Sequence, residues 1–299
     1  MPSHITVIPA STQAGKEAIR VLLESESKPF VRGIYRDPSK APAEFTKQPN
    51  FEAVKGDVAT GAGLDFSNSN AVFYVPPPTY DGTDQGEFAT RAAMNVENAL
   101  RSTPSVKRLV LHSSMGAQYD HSIGVLRVNN ITDRILKSAA PEVLIVKPGY
   151  YYENWASALE TMKADPPSFV SPISPADHQI SMLSVKDVGE YCANALLDES
   201  TWPALHSVDL AGPRHYSPLD VKNAIEQVTG KEGELVTIEK DQLAGYFALH
   251  VPKVYVQEFV DMVISWLPGG IMVGDFVNGE HTVTGKTELV DAFRDMISP

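Results

Sequence analysis

The chain opens with an apolar segment, Ile5-Thr6-Val7-Ile8, then a turn, Pro9-Ala10-Ser11-Thr12-Gln13-Ala14-Gly15-Lys16, then a helix-like run, Glu17-Ala18-Ile19-Arg20-Val21-Leu22-Leu23. No other feature limits the fold so tightly. A strand running through a short turn into a helix is the unit that opens a dinucleotide-binding sheet, and the turn lies where a pyrophosphate meets a helix N-terminus. The glycines that such a turn uses are largely replaced. In the spacing Gly-x-x-Gly-x-x-Gly this chain has Pro9, Thr12 and Gly15. Gly15 still suits close packing of helix on strand. Thr12 takes the place nearest the phosphates. Its hydroxyl, the Ser11 hydroxyl and the N–H groups of Gln13 and Ala14 can hold a phosphate; alternatively the Thr12 side chain fills that space. Pro9 has no N–H and a fixed φ.

Strand and helix signals alternate beyond this unit. Phe30-Val31-Arg32-Gly33-Ile34-Tyr35 is β-branched and aromatic and stops at Arg36-Asp37-Pro38, which is turn chemistry. Phe51-Glu52-Ala53-Val54 closes at Gly56-Asp57, and Ala71-Val72-Phe73-Tyr74-Val75 is continuously apolar, as in a strand covered on both faces. Pro76-Pro77-Pro78 ends it. A helix is predicted over about 84–102, a strand over Arg108-Leu109-Val110-Leu111, a helix over about 123–138 and a strand over Val143-Leu144-Ile145-Val146. Residues 164–180 are rich in Pro and Ser and read as a loop. Val185 to Leu197 is a helix with Cys192 inward, and Ser207-Val208-Asp209-Leu210 a strand. Further helices are predicted near 218–229, 240–249, 253–266 and 286–297. The class is α/β: a Rossmann-like doubly wound parallel sheet with a smaller C-terminal substrate lobe over the sheet's carboxyl edge. Residues 1–157, with 180–212 returning, are assigned to the dinucleotide-binding domain, and 158–179 with 213–299 to the lobe.

Composition narrows the function. A net charge of −12 with no Lys/Arg-rich run argues against nucleic acid as a partner. No apolar run reaches the roughly 18 residues of a membrane span, so no membrane association is expected. The N-terminal residues lack the basic-then-apolar pattern of a secretion signal. A single cysteine, Cys192, excludes an internal disulfide and fits a reducing, cytoplasmic setting. No metal-ligand spacing and no Gly-x-Ser-x-Gly elbow occurs.

Several strand ends carry candidate site residues. Arg36 stands where an acidic residue would bind an adenine ribose, and an arginine suits a 2′-phosphate; with Arg32 nearby, NADP(H) is favoured over NAD(H). Asp57 and Val58 suit an adenine-edge contact, or Asp57 serves only its own turn. Pro76 begins the loop on the ligand edge. Ser113 and Ser114 end the fifth strand, where a hydroxyl can face a nicotinamide or substrate or merely close a turn. Tyr119 and His121 follow; His121 is an acid–base candidate or an exposed loop histidine. Pro148 ends the sixth strand, and Tyr150-Tyr151-Tyr152 after it can line an aromatic pocket, with one hydroxyl as donor. Glu153-Asn154 is expected to cap and order that loop.

The segments Val31-Arg32-Gly33-Ile34-Tyr35-Arg36-Asp37-Pro38-Ser39-Lys40, Gly56-Asp57-Val58, Val106 to Ala117, Lys147 to Asn154, Val185-Lys186-Asp187-Val188 and Asp209-Leu210-Ala211-Gly212-Pro213, in this order, resemble the NmrA-like family of atypical short-chain dehydrogenase/reductases. The resemblance weakens after about residue 240. Pro76-Pro77-Pro78-Thr79-Tyr80-Asp81 is similar to a segment of fungal alkaloid-pathway members. The resemblance implies either an NAD(P)H-dependent reductase of small molecules, often in secondary metabolism, or an NADP-sensing regulator. The Tyr-x-x-x-Lys pair of conventional members is missing. Related reductases keep a lysine in a segment like Ala-Lys-Gly-Glu-Ile-Glu, which here reads Val128-Asn129-Asn130-Ile131-Thr132-Asp133. Asn129 cannot supply a positive charge, though it can hydrogen-bond a ribose hydroxyl. The expectation is therefore an NAD(P)(H)-binding oxidoreductase of a hydrophobic small molecule, with Ser113, Tyr119 and Tyr150 as candidate proton donors. Two alternatives stay open: a cofactor-independent isomerase or cyclase, and a non-catalytic regulator.

Overall fold

A computed structural model describes residues 3–276 and 279–297. Strands and helices alternate: β1 (His4–Ile8), α1 (Gln13–Glu24), β2 (Phe30–Tyr35), α2 (Ala43–Thr46), β3 (Phe51–Lys55), β4 (Ala71–Tyr74), α3 (Gln85–Arg101), β5 (Arg108–His112), α4 (Arg127–Leu136) and β6 (Glu142–Pro148). The pattern then becomes mixed: β7 (Tyr150–Tyr151), α5 (Ala156–Thr161), β8 (Ser168–Ser171), β9 (Ile180–Leu183), α6 (Val185–Leu197), β10 (Leu205–Ala211), β11 (His215–Tyr216), α7 (Pro218–Thr229), β12 (Glu234–Thr237), α8 (Leu243–Phe247), α9 (Val256–Trp266), β13 (Thr282–Thr284) and α10 (Leu289–Ile297).

The main sheet has eight strands in the order β13-β10-β6-β5-β4-β1-β2-β3. β1 pairs in parallel with both β2 and β4, through Ile5 opposite Val31 and Ile5 opposite Ala71. The chain therefore winds outward one way through β2 and β3, returns to β4, and winds the other way through β5 and β6. The reversal between β1 and β4 is the switch point at which such sheets bind ligands, beyond the strands' carboxyl ends. The expected doubly wound Rossmann-like sheet is what forms.

Alternation along the strands sorts side chains onto two faces. On one face Ile8, Ile34, Val72, Tyr74, Leu109, Leu111, Val143 and Ile145 pack with Phe88, Ala92, Val96 and Leu100 of α3 and Leu136 of α4. On the other, Val7 lies under α1: a Cβ added at Gly15 would come within 3.4 Å of the Val7 side chain. β4 is buried at all four residues, which explains its unbroken apolar sequence.

The chain divides into two compact units: Met1–Ala117, Val128–Lys147 and Val188–Val208 form one, and Gln118–Arg127, Pro148–Asp187 and Asp209–Pro299 the other. The first holds β1–β5, and Cys192 is fully buried within it, as expected. In the second, β11-β9-β7 and β12-β8 make small sheets. There Glu153 accepts hydrogen bonds from the Ser184 hydroxyl and from the Val185 N–H at the start of α6, so it serves a helix about 30 residues on rather than the loop it was expected to cap. Asp187 accepts from the Thr287 N–H at 3.0 Å and the Thr287 hydroxyl at 2.8 Å, tying down the segment before α10. The turn at 124–126 crosses α9 so closely that a Cβ at Gly124, whose φ is +54°, would lie on the Glu258 carbonyl. Residues 164–180, expected to be a loop, contain β8, which pairs with β12 through Phe169 opposite Leu235. The expected helix over 123–138 starts at Arg127, and no helix among the described residues is long and apolar enough to cross a membrane.

Candidate functional site

The first turn carries the site's best-defined geometry. β1 delivers the chain to Pro9, and α1 begins at Gln13 with Thr12 as its cap. The Thr12 hydroxyl accepts from the Gly15 N–H at 3.0 Å and donates to the Pro9 carbonyl at 3.0 Å. Both hydrogen-bonding functions are thus turned inward, onto the turn itself. The Lys16 N–H closes the first helical turn on the Thr12 carbonyl. The N–H groups of Ser11, Gln13 and Ala14 have no acceptor among the described residues, and Ser11 and Gln13 are exposed. Unpaired amides at a helix start, with the helix dipole behind them, attract anionic oxygens. Gly15 leaves no room for a side chain: a Cβ would stand 2.6 Å from the Thr12 hydroxyl and 2.9 Å from the Pro9 carbonyl. This donor set fits a diphosphate, with Thr12 shaping the turn rather than contributing its hydroxyl.

At the end of β2, Arg36 is exposed and has no partner among the described residues. Neighbouring Asp37 is engaged, accepting from the Ser39 N–H at 3.1 Å and the Ser39 hydroxyl at 2.7 Å, which holds its carboxyl below the usual range. Lys40 follows in the same short turn and is also exposed. Arg32 is different. It faces Glu52 across the β2–β3 ladder, pairs with it at 2.5 Å, and donates to the Asp65 and Ser67 carbonyls. Arg32 is a cross-strand tie, which leaves Arg36 and Lys40 as the exposed cations at this strand end.

The neighbouring strand ends are braced. Asp57 accepts from the Ala59 N–H at 2.9 Å, and its own N–H binds the Ala62 carbonyl. Val58 packs into the core beneath. Pro76 is partly buried. The loop after the three prolines is held by Gln85, whose amide accepts from the Thr79 N–H and donates to the Thr79 carbonyl.

The end of β5 gathers three polar groups. Ser113 is fully buried; its N–H binds the Val146 carbonyl, and its hydroxyl donates to Asp133 Oδ2 at 2.6 Å. Asp133 and Asn129 are four residues apart on α4 and share a face. Asn129 is partly buried without a partner among the described residues, whereas Asn130 donates to the Ala117 carbonyl. Burial pushes the Asp133 carboxyl up to about 7, although the Ser113 hydrogen bond and the Lys147 charge both favour its ionised form. Ser114 turns its hydroxyl to the Met115 carbonyl. Asp133 was not singled out from the sequence; the available signal was its i+4 spacing from Asn129.

The second unit holds the tyrosines. The Tyr119 hydroxyl donates to Asp275 Oδ1 at 3.0 Å, and Gln118 donates to the other carboxylate oxygen at 2.8 Å. Desolvation and that carboxylate raise the Tyr119 pKa, so the phenol holds its proton. Tyr150 meets Trp155 and Trp266 edge to face at 5.9 and 5.6 Å between ring centres, and burial raises its pKa too. Tyr152 is fully buried beside Tyr216, so the three successive tyrosines do not act as one surface. Pro148 is buried at the end of β6. His121 is an exposed loop residue with Ser122 at 3.2 Å. No cluster among the described residues suits a metal ion. Ser113, Asn129 and the first turn belong to one unit, and Tyr119, Pro148 and Tyr150 to the other.

No curated protein matches the chain. Among solved structures, triphenylmethane reductase from Citrobacter sp. superposes with a TM-score of 0.76 at 15% identity, over 99% of both chains. The NADPH-dependent quinone oxidoreductase QOR2 of Escherichia coli gives 0.75 at 17% identity, over 98% of this chain and all of that one. NmrA, a negative transcriptional regulator, gives 0.61 at 18% identity, over 80% of this chain and 75% of that one. At these identities the likeness shows a shared fold. The profile of the NmrA-like family matches residues 1–266, and the chain belongs to that family.

Proposed function

We infer that the chain is an NADP(H)-dependent oxidoreductase acting on an apolar, aromatic small molecule of the kind handled in cytoplasmic secondary metabolism. The observation that carries this reading is the first turn. Thr12 folds onto Pro9 and Gly15, and the amides of Ser11, Gln13 and Ala14 are left to hold a diphosphate. Arg36, backed by Lys40, supplies charge for a 2′-phosphate, while Asp37 is committed to Ser39 rather than to a ribose hydroxyl. In this reading Asp57 and Pro76 serve the adenine side and Asn129 the nicotinamide side. Structural relatives bound to or dependent on NADPH support the cofactor class. The nicotinamide supplies hydride when bound; the chain's own task is orientation and a proton.

A second reading, an NADP-sensing regulator, is favoured by Asn129 in place of a lysine and by the complete burial of Ser113. Absorbance at 340 nm, the nicotinamide band, separates the two. A reductase consumes NADPH when menadione is added, and a sensor binds NADPH but leaves the absorbance unchanged. Turnover of a substrate without any dinucleotide would instead make the chain an isomerase or cyclase.

A further inference from the structure

The Asp133 carboxyl is poorly compensated where it lies. Oδ2 receives the Ser113 proton at 2.6 Å, whereas Oδ1 is buried with no hydrogen-bond partner among the described residues. A buried carboxylate with one unserved oxygen and no ion pair in contact favours its neutral form. The surrounding charges do not reverse this. Lys147 on β6 acts on Asp133 only through space. Arg134 on α4 and Lys137 just after it are exposed. On β5, burial pushes the His112 imidazole down to about 4, so it is neutral. Ser113 stands at the carboxyl end of β5, the edge where this type of sheet binds ligands.

We propose that Asp133 is the proton store of the strand-end site and that Ser113 relays its proton to the substrate. The step it serves rests on the reductase reading. As a carbonyl is reduced, its oxygen gains negative charge. With Asp133 neutral, its carboxyl O–H becomes the donor across the 2.6 Å contact and the Ser113 hydroxyl proton turns to the substrate, where the Oγ–H bond breaks and that proton goes to the oxygen. The Asp133 O–H bond breaks in turn, its proton passes to Ser113 Oγ, and the carboxylate left behind is reprotonated from solvent. Burial sets the poise of the store: a carboxyl near 7 gives up and regains a proton at neutral pH. Asp133 is thus a positioning residue that acts through Ser113.

Infrared titration of the full chain reads the store directly. The expected result is a protonated-carboxyl C=O band that disappears as pH rises through about 7 and is missing from Asp133→Asn. In Ser113→Ala the carboxylate loses its hydrogen bond, and the band should persist to higher pH, by roughly half to one unit. This second variant keeps the test alive if Asp133→Asn fails to fold. NADPH-driven reduction of menadione should slow as pH rises through the same window, become insensitive to it in Asp133→Asn, and regain the slope in Asp133→Glu. A band missing at every pH, or a profile that Asp133→Asn leaves unchanged, overturns the proposal. No NADPH oxidation by the parent chain overturns the reductase reading and the relay with it, while the infrared band still reports whether the pair exchanges a proton.

Discussion

Thr12 shows how a side chain can stand at a glycine position of the first turn and leave the amides beside it unpaired. With its hydroxyl shared between Gly15 and Pro9, the helix start is capped and three amides stay unpaired. Two predictions belong at this scale. Arg36→Glu should weaken NADPH binding more than NADH binding, by roughly 1–3 kcal/mol, because a charge-assisted bond is replaced by repulsion; equal losses in calorimetry would remove Arg36 from the site. Asp133 gives a stability signature. Its folded pKa, about 7, lies above the ordinary aspartate value of 3.8, so its stabilising effect is complete below about 4 and lost as pH rises through 7. Relative to the parent, Asp133→Asn should therefore gain stability between pH 4 and pH 8, by up to ~4 kcal/mol in urea melts; parallel pH curves would show that Asp133 does not titrate in that range. The sequence disclosed the close packing at Gly15 because its place in the first turn is informative. It did not disclose the commitment of Arg32 to Glu52, since a cross-strand partner 20 residues away depends on register. Nor did it disclose Asp133, whose chemistry comes from burial rather than from its neighbours in the chain.

Among the elements, the main strands and long helices were legible because their apolar runs are continuous or regularly spaced. The short strands β7, β8, β9 and β11–β13 were not read as strands. Each has two to four residues, too few for a period to show, and each exists through its pairing partner. The glycine at the start of α6 gives a sharper test. A Cβ on Gly189 would come 2.3 Å from the Glu17 Cβ and 2.9 Å from the Ala18 nitrogen, so α6 and α1 touch backbone to backbone there. Gly189→Val should destabilise the chain by ~1–3 kcal/mol through overpacking, read as a lower denaturant midpoint; an unchanged midpoint would mean that the helices are not in contact. Glu153→Ala should cost about 1–2 kcal/mol by removing the cap on Val185.

At the level of the whole molecule, the proposed function asks a chain of net charge −12 to bind an anionic dinucleotide, which it would do only through local donors: the first turn and Arg36 would have to outweigh an unfavourable overall field. A ligand held by the folded state alone raises its stability by mass action, about 2.7 kcal/mol at a hundredfold excess over Kd. NADPH should accordingly raise the unfolding temperature more than NADH at equal concentration, and Gly15→Val should abolish both shifts. The most direct test of the central claim is calorimetric titration of the full chain with NADPH and, separately, NADH. Amides left open at the first turn predict saturable heat with NADPH, and Arg36 predicts binding at least about tenfold tighter than NADH. No heat from either dinucleotide at millimolar concentration would contradict the account.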